Sequence, residues 1–195
     1  MEGAPAGPRP AATVILLRRG GRHRQRGVEV LMVRRAEGAS FMPGVWVFPG
    51  GAIEPDEEPA ACAARELAEE TEIELPAGAE LWPWSRWITP EVVPVRFDTH
   101  FLIGLAPPHS PPRPDGTAVS EARWWEPRGA LEAERAGEIE LVFPTVKTLE
   151  SLLEFASAEQ VFEAARGRVV EPILPRVVGT RESHRILLPG DPGYD

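Results

Sequence analysis

The stretch from Gly51 to Ile73 constrains the fold of this chain more than any other segment, because it concentrates acidic residues on a predicted helix. Pro59 suits the first position of an α-helix. Downstream, Glu66, Glu69 and Glu70 stand at positions i, i+3 and i+4, so their carboxylates share one helical face. Like charges at these spacings destabilise an isolated helix by about 0.2–0.5 kcal/mol per pair. A positive charge is therefore expected to bind this cluster.

A hard divalent cation meets that requirement. Mg²⁺ and Mn²⁺ prefer carboxylate, carbonyl and water oxygens, and no Cys or His cluster stands near the three glutamates to favour zinc. The alternative interpretation is a solvated acidic face. Small apolar residues on the other side of the helix argue against it, because they would pack closely on a sheet and leave the acids pointing outward together. This stripe comprises Ala60, Ala63, Ala64 and Leu67.

Residues 51–73 resemble the Nudix box, G-x5-E-x7-R-E-U-x-E-E-x-G-U, in which U is an apolar residue. Only Glu72 departs from the pattern, since it stands where the box usually has glycine. Glycine accepts the left-handed conformation after a helix at little cost, so Glu72 either costs about 1 kcal/mol or lets the helix continue. The matching residues are Gly51, Glu57, Arg65, Glu66, Leu67, Glu69, Glu70 and Ile73.

The resemblance implies a Nudix-type α/β/α sandwich with a mixed β-sheet. It also implies a metal-dependent hydrolase that uses water to cleave the diphosphate linkage of a nucleoside diphosphate derivative. In this family the cation is held by box carboxylates and by the carbonyl that precedes the first box glycine. The residues implied as ligands for Mg²⁺ or Mn²⁺ are the Gly50 carbonyl, Glu66 and Glu70 as principal ligands, and Glu69 as an additional one.

Two further catalytic roles follow from the resemblance. Arg65 is expected to orient the box carboxylates together with Glu57. The general base is open, because some family members use a box glutamate and others use an acid from a later loop. The candidates by residue type are Glu66, Glu121 and Asp115.

Segments outside the box are similar to the Nudix branch that includes a mammalian coenzyme A diphosphatase. They run from the Phe41 region to Tyr194. The implied substrate is coenzyme A or acyl-coenzyme A, whose 3'-phosphate needs a cationic partner. The alternatives are ADP-ribose or a dinucleotide, and a Nudix-fold sensor that binds a nucleotide without cleaving it. The candidate substrate-binding residues are Arg34, Arg35, Arg86 and Arg96.

The composition narrows the classes of partner. The formal charge of −9 disfavours binding to long nucleic acid, which requires clustered Lys and Arg. No apolar run reaches the roughly 18–20 residues of a membrane span, and no signal-peptide pattern precedes the first charged turn, so we expect a cytoplasmic protein without membrane contact. The only cysteine, Cys62, is expected to be a small structural residue. A homodimer is an open alternative to a monomer.

The length fits a flexible tail over residues 1–10 and a single domain over residues 11–195. Five of the six tryptophans fall in two clusters, at residues 82–87 and 124–125, and are expected to fill a core with at most one facing a nucleotide. A solvated hairpin connection is expected over residues 19–26. The patterns predict strands over 11–19, 28–35, 79–90, 97–105 and 121–127, helices from Pro59, over 127–137 and over 144–157, and an extended C-terminal segment.

Overall fold

An eight-stranded mixed sheet forms the centre of the computed structural model, which describes residues 7–19, 27–39, 41–179 and 183–194. Short apolar runs that contain β-branched residues favour extended backbone in the central strands. A separate two-stranded sheet closes the chain. The strands are β1 (Arg9–Arg19), β2 (Val28–Arg35), β3 (Trp46–Val47), β4 (Gly50–Ala52), β5 (Trp82–Ile88), β6 (Phe97–Leu105), β7 (Val119–Trp125), β8 (Pro172–Ile173), β9 (Arg176–Gly179) and β10 (His184–Leu187).

The sheet opens between β1 and β2, and two short strands fill the gap. β1 pairs antiparallel with β2 near the Arg19 end, where Leu17 lies opposite Val30. At its other end β1 instead pairs with β4, while β2 pairs with β3. The remaining partners are β6 beside β1 and β7 beside β2. The segment that precedes the acidic helix is therefore held between the two central strands.

The helix α1 (Pro59–Thr71) covers one face of the sheet. Its buried side chains pack on the even-numbered residues of β1, which point to this face because side chains alternate along a strand. A fully buried Val or Leu side chain in this position stabilises the fold by about 1.5–3 kcal/mol. This core contains Ala12, Val14, Leu16, Leu31, Cys62, Ala63, Leu67, Ile73 and Leu102.

Three helices cover the opposite face and complete the α/β/α sandwich, which confirms the predicted fold class. They are α2 (Pro127–Arg135), α3 (Phe143–Leu152) and α4 (Ala158–Ala165). The larger of the two cores lies here. Trp46, Trp84 and Trp87 are buried in it. Trp82 and Trp125 pack against it, whereas Trp124 packs against the core on the α1 side.

The structure corrects several predicted boundaries. β1 begins at Arg9, earlier than the predicted end of the tail at residue 10, because Arg9 donates its amide to the Arg96 carbonyl at 2.9 Å. The helix expected over 144–157 is two helices, because α3 ends at Leu152 and Ser157 then caps α4 by accepting a hydrogen bond from the Gln160 amide at 3.3 Å. Residues 1–6 of the tail and 20–26 of the hairpin connection lie outside the described residues.

The described part of the chain contains no helix with the length and apolar character that crossing a membrane requires.

Candidate active site

The acidic helix begins at the expected proline and ends just before Glu72. Pro59 occupies the first turn, and Glu58 at the N-cap makes no side-chain capping hydrogen bond. At the other end Glu72 adopts the left-handed conformation, with φ 55° and ψ 17°, and its amide donates to the Ala68 carbonyl at 2.9 Å. The helix therefore ends at Thr71 instead of continuing past it. Glu72 adopts the left-handed conformation at an energetic cost that glycine would avoid.

The three box glutamates differ sharply in exposure. Glu69 faces solvent with 59% of its side chain exposed, and Glu66 exposes 17%. Glu70 is only 6% exposed, so the prediction that all three acids point outward is wrong for this residue. The apolar stripe is rotated accordingly: Cys62 is buried in it, while Ala60 is exposed.

Paired glycines let the β4 backbone approach two of these glutamates. The Gly50 amide donates to Glu70 Oε2 at 3.1 Å. A Cβ on Gly51 would overlap the carboxylate of Glu66, and a Cβ on Gly50 would overlap the Ala12 carbonyl oxygen. Both positions therefore require glycine for close approach rather than for an unusual φ.

Arg65 connects the carboxylates to one another. Its Nε and Nη2 donate to the two oxygens of Glu57 at 2.9 and 3.0 Å, and its Nη1 donates to Glu66 at 2.8 Å and to Glu69 at 3.2 Å. The hydrogen bonds to Glu57 and Glu66 raise the pKa of the guanidinium, and the same Arg65 contact lowers the pKa of Glu57 to about 2. Arg65 thus contacts three acids directly, and its orienting role stays a prediction.

Glu70 is the carboxylate whose charge is least well solvated. Burial raises its pKa to about 8, which outweighs the hydrogen bond from the Gly50 amide and the nearby positive charge of Arg35. The charged form of Glu70 therefore needs a cation close by.

The oxygen donors fit a hard divalent cation. Glu70 and Glu66 both lie against the Gly50–Gly51 backbone, and the Cys62 thiol lies nearby, 3.7 Å from the Gly51 carbonyl. Burial raises the pKa of that thiol to about 11, so it stays protonated and is a poor metal ligand. Among the described residues no three acidic, His or Cys side chains are already gathered around one point, since Arg65 holds Glu66 and Glu69.

The family model of the NUDIX domain matches residues 7–145, which is most of the chain. The chain belongs to the NUDIX family. The match spans the box helix and all seven strands from β1 to β7. The Nudix resemblance is thereby confirmed.

Known proteins are similar to this Nudix domain to different extents. The m7GpppN-mRNA hydrolase NUDT17 of Bos taurus is 44% identical over 59 residues, which cover 30% of this chain and 20% of that protein. The acyl-coenzyme A diphosphatase NUDT19 of Xenopus laevis is 29% identical over 118 residues, 57% of this chain and 31% of that protein. The chain thus spans less than a third of either relative's length.

A solved structure agrees more broadly. The NUDIX hydrolase from Alicyclobacillus acidocaldarius superposes with a TM-score of 0.71 and 27% identity, over 82% of this chain and 97% of that one. This agreement confirms the fold over nearly the whole length of that protein.

Within the Nudix domain, two neighbouring arginines lie on opposite faces of the sheet. Arg35 is on the α1 side, where its charge acts on Glu70 and its Nε donates to the Phe41 carbonyl at 2.8 Å. Arg34 is on the other side, because successive side chains of β2 alternate. Its guanidinium donates to Glu37 at 2.7 Å and to Glu121 at 3.1 Å.

Glu121 shares the face of Arg34, since the two residues lie opposite each other on β7 and β2. Its second oxygen is 3.6 Å from Arg123. The sheet thus separates this carboxylate from the box glutamates on the α1 side.

Asp115 lies close to the box, but its carboxylate is occupied by backbone. It accepts from the amides of Thr117, Ala118 and Val119 at 2.9–3.1 Å. Burial alone would raise its pKa, yet these amides together hold it below the usual value. The Asp115 amide itself donates to the Glu70 carbonyl at 3.3 Å. The loop therefore packs on the end of α1.

The other two candidate arginines lie beside β6. Arg86 forms a two-pronged ion pair with Asp98 at 2.6 and 2.8 Å, which raises the pKa of the guanidinium. Arg96 donates to the Thr89 carbonyl at 3.0 Å. The described side-chain hydrogen bonds of Arg35 and Arg96 go to backbone carbonyls, whereas those of Arg34 and Arg86 include ion pairs with acids. Arg35 and Arg96 are therefore the candidates whose positive charge is more available to a phosphate.

The structure also reveals a cleft that the sequence did not indicate. It has a volume of about 820 Å³ and lies on the face opposite α1, between β2, β3, β7 and the end of α2. We call it the tryptophan cleft. Its lining comprises Arg34, Glu37, Pro43, Gly44, Trp46, Glu121, Arg123, Trp125, Glu134, Gly137, Glu138, Ile139 and Glu140. Trp46 belongs to neither predicted tryptophan cluster. It lies in the cleft because β3 pairs with β2, a contact that the sequence pattern did not indicate.

Proposed function

We propose that the protein hydrolyses the diphosphate linkage of a nucleoside diphosphate derivative and that it requires Mg²⁺ or Mn²⁺. The observation that carries the proposal is the buried carboxylate of Glu70, held beside Glu66 by the Gly50–Gly51 backbone within a Nudix domain. A bound divalent cation supplies a water of lowered pKa and neutralises charge on the diphosphate. Glu66, Glu70 and the Gly50 carbonyl would hold it, with Glu69 as the additional, solvent-facing ligand.

Arg65 would position the site rather than contact the diphosphate. Its guanidinium is shared among Glu57, Glu66 and Glu69, which fixes the rotamers of acids that must bind a cation at defined distances. A ligand site that is preorganised in this way loses less freedom when the substrate arrives.

For the general base we propose a box glutamate, with Glu66 as the first choice. A base must reach the attacking water, and Glu121 lies across the sheet in contact with Arg34 and Arg123. The Asp115 carboxylate already accepts three backbone amides. Both remain testable alternatives, since loss of a general base costs about 10²–10⁴ in rate.

Within this reaction class, coenzyme A or an acyl derivative is the substrate proposed from the sequence resemblance. The similarity to the Xenopus acyl-coenzyme A diphosphatase supports it, and Arg35 and Arg96 could receive the 3'-phosphate. ADP-ribose or a dinucleotide is the alternative. The expected partner is thus a small molecule, and the protein is proposed to act in the cytoplasm.

A substrate panel tests the proposal. The purified chain is incubated with Mg²⁺ or Mn²⁺ and with coenzyme A, acetyl-coenzyme A, ADP-ribose, NAD⁺ or dinucleoside polyphosphates, and the products are identified by mass. Cleavage at the diphosphate of at least one compound is expected, and it should be lost with EDTA. Tenfold more efficient turnover of ADP-ribose or a dinucleotide would overturn coenzyme A as substrate, and no turnover of any compound would favour a non-catalytic sensor.

Matched variants assign the roles. Glu66→Gln and Glu70→Gln are expected to lower turnover by several orders of magnitude, and Glu69→Gln by less, because an exposed additional ligand shares its cation with waters. Glu74→Gln removes an exposed acid just beyond the box and should leave turnover unchanged. Near-normal turnover in Glu66→Gln or Glu70→Gln would refute the ligand assignment.

A further inference from the structure

Thr13 is a polar residue buried in the central strand β1, where only 7% of it is exposed. Its hydroxyl donates to the Pro49 carbonyl at 2.5 Å and to the Phe48 carbonyl at 3.1 Å. A threonine hydroxyl has one proton to donate, so the two carbonyls share it and the nearer one, that of Pro49, receives the stronger hydrogen bond. Thr13 therefore joins β1 to the segment that leads from β3 into β4.

The Thr13 hydroxyl lies on the opposite face of the sheet from the box glutamates. Side chains alternate along a strand, and Ile15 and Leu17, the next odd-numbered residues of β1, pack in the larger core under α2, α3 and α4. Phe48 belongs to the same core. Glu70 is carried by α1, which covers the other face. Any effect of the hydroxyl on the box must therefore pass through the backbone.

A single peptide group makes that connection. The Pro49 carbonyl, which also accepts from the Val14 amide at 2.9 Å, belongs to the same peptide unit as the Gly50 amide, which donates to Glu70 Oε2 at 3.1 Å. A trans peptide is planar and directs its C=O and N–H in opposite directions. The hydrogen bonds that hold the Pro49 carbonyl toward β1 therefore also aim the Gly50 N–H at Glu70. Hydrogen bonds at the two ends of one peptide group polarise it and strengthen each other.

The residues of β4 supply no side-chain restraint on this peptide. Gly50 and Gly51 have no side chain, and a glycine backbone adopts more conformations than that of any other residue. The described hydrogen bonds to the Pro49 carbonyl come from Thr13 and Val14. The Val14 amide would be present with any side chain at these positions. The Thr13 hydroxyl is therefore the restraint that depends on the identity of a side chain.

We propose that Thr13 is a positioning residue for the cation site. Its hydroxyl fixes the orientation of the Pro49–Gly50 peptide, and through the Gly50 N–H it holds the Glu70 carboxylate where a cation can bind. Thr13 itself touches neither the cation nor the substrate. The inference rests on the proposed function, in which Glu70 is a ligand of Mg²⁺ or Mn²⁺. Loss of a group that supports a metal ligand from behind typically lowers metal affinity by about 10–100-fold.

Two variants isolate the hydroxyl. Thr13→Ser and Thr13→Ala both lose the γ-methyl group, and they differ from each other only in the hydroxyl. Calorimetric titration with Mn²⁺ should show Thr13→Ser within about twofold of the parent and Thr13→Ala about tenfold weaker than Thr13→Ser. Ile15→Val removes a methyl group from the same face of β1, controls for lost core packing and should bind Mn²⁺ like the parent. Thr13→Val, which keeps the size of the side chain, replaces Thr13→Ala if that variant does not fold.

The Gly50 amide reports on the peptide without the metal or the reaction. In the metal-free chain its hydrogen exchange, followed by NMR, should be about tenfold faster in Thr13→Ala than in Thr13→Ser, because the N–H is no longer aimed at Glu70. The Ile53 amide, which donates to the Pro10 carbonyl at 3.0 Å just beyond β4, is the internal control. Its exchange should change by less than about twofold. A loss of global stability would instead speed exchange at both amides.

The outcomes separate this inference from the proposed function. Equal Mn²⁺ affinity in Thr13→Ala and Thr13→Ser, as large a loss of affinity in Ile15→Val, or a Gly50 amide that responds no more than that of Ile53 overturns the positioning role. If the parent does not bind Mn²⁺, the proposed metal site fails, and the Gly50 amide alone decides whether Thr13 orients the peptide. Mn²⁺ binding without hydrolysis of any diphosphate overturns the proposed reaction and leaves the role of Thr13 standing.

Discussion

Replacing Glu70 by Gln is expected to stabilise the metal-free protein, and to do so more as the pH rises. The Gln side chain keeps an oxygen that can accept from the Gly50 amide, but it carries no charge to be desolvated. Burial raises the folded-state pKa of Glu70 from 4.5 to about 8. Between these pH values the folded parent therefore binds more protons than the unfolded chain. The free energy of unfolding of the parent falls as the pH rises from 4.5 through 8, because Glu70 loses its proton.

The size of the effect follows from that shift. One pKa unit corresponds to about 1.4 kcal/mol, so the stability gap between Glu70→Gln and the parent is about 1 kcal/mol at pH 5 and about 3 kcal/mol at pH 7. Since Glu70 is 6% exposed, solvent screening reduces this little. For a domain of this size, 1 kcal/mol moves the Tm by about 2–4 °C, so the gap in Tm should widen by about 4–8 °C between pH 5 and pH 7.

The assay is thermal unfolding in EDTA at pH 5, 6, 7 and 8, with Glu69→Gln as the control. Because 59% of the Glu69 side chain is exposed, that variant should follow the parent within about 1 kcal/mol at every pH. Adding Mn²⁺ at a hundred times its Kd should stabilise the parent by about 2.7 kcal/mol and Glu70→Gln by much less. A gap between Glu70→Gln and the parent that does not change with pH would refute the reasoning.

Three further predictions follow from the same helix and its surroundings. Glu72→Gly should raise the Tm by about 2–4 °C, because glycine removes the cost of the left-handed conformation. The variant also loses the ion pair with Arg113, which contributes little because both side chains are exposed. An unchanged Tm would contradict this prediction. Gly51→Ala should weaken Mn²⁺ binding at least tenfold by calorimetry, because the new Cβ displaces Glu66, whereas Gly129→Ala meets no atom within 4 Å and should not. Asp115→Asn should lower the free energy of unfolding by about 1 kcal/mol in denaturant titrations, because the neutral Oδ1 of Asn accepts from the three amides more weakly than a carboxylate does, yet it should lower turnover by less than tenfold.

Local patterns made the acidic helix and most strands predictable. Pro59 and the box spacing determine where α1 begins and which carboxylates it carries, and the short apolar runs in β1 and β2 predict buried strands. The break between α3 and α4 was missed because no Gly or Pro interrupts residues 153–157. Only the cap at Ser157 marks the new helix.

The site beyond the helix depends on contacts that a local pattern does not contain. The burial of Glu70 follows from how closely α1 packs against β4, which the paired glycines permit but do not require. The separation of Glu121 from the box depends on its pairing with Arg34, 87 residues away in sequence. Alternation along β2 alone would have predicted that Arg34 and Arg35 face opposite sides.

The Arg65 bridge has a consequence for how the site fills. Arg65 contacts one oxygen of Glu66 at 2.8 Å and one of Glu69 at 3.2 Å, which leaves the second oxygen of each carboxylate for a cation but places a positive charge beside any ion that enters. The repulsion lowers the affinity for a bare cation and acts less on one that brings the negative charge of a diphosphate. We therefore expect the cation and the diphosphate to bind together, and to be released together after the linkage is cleaved.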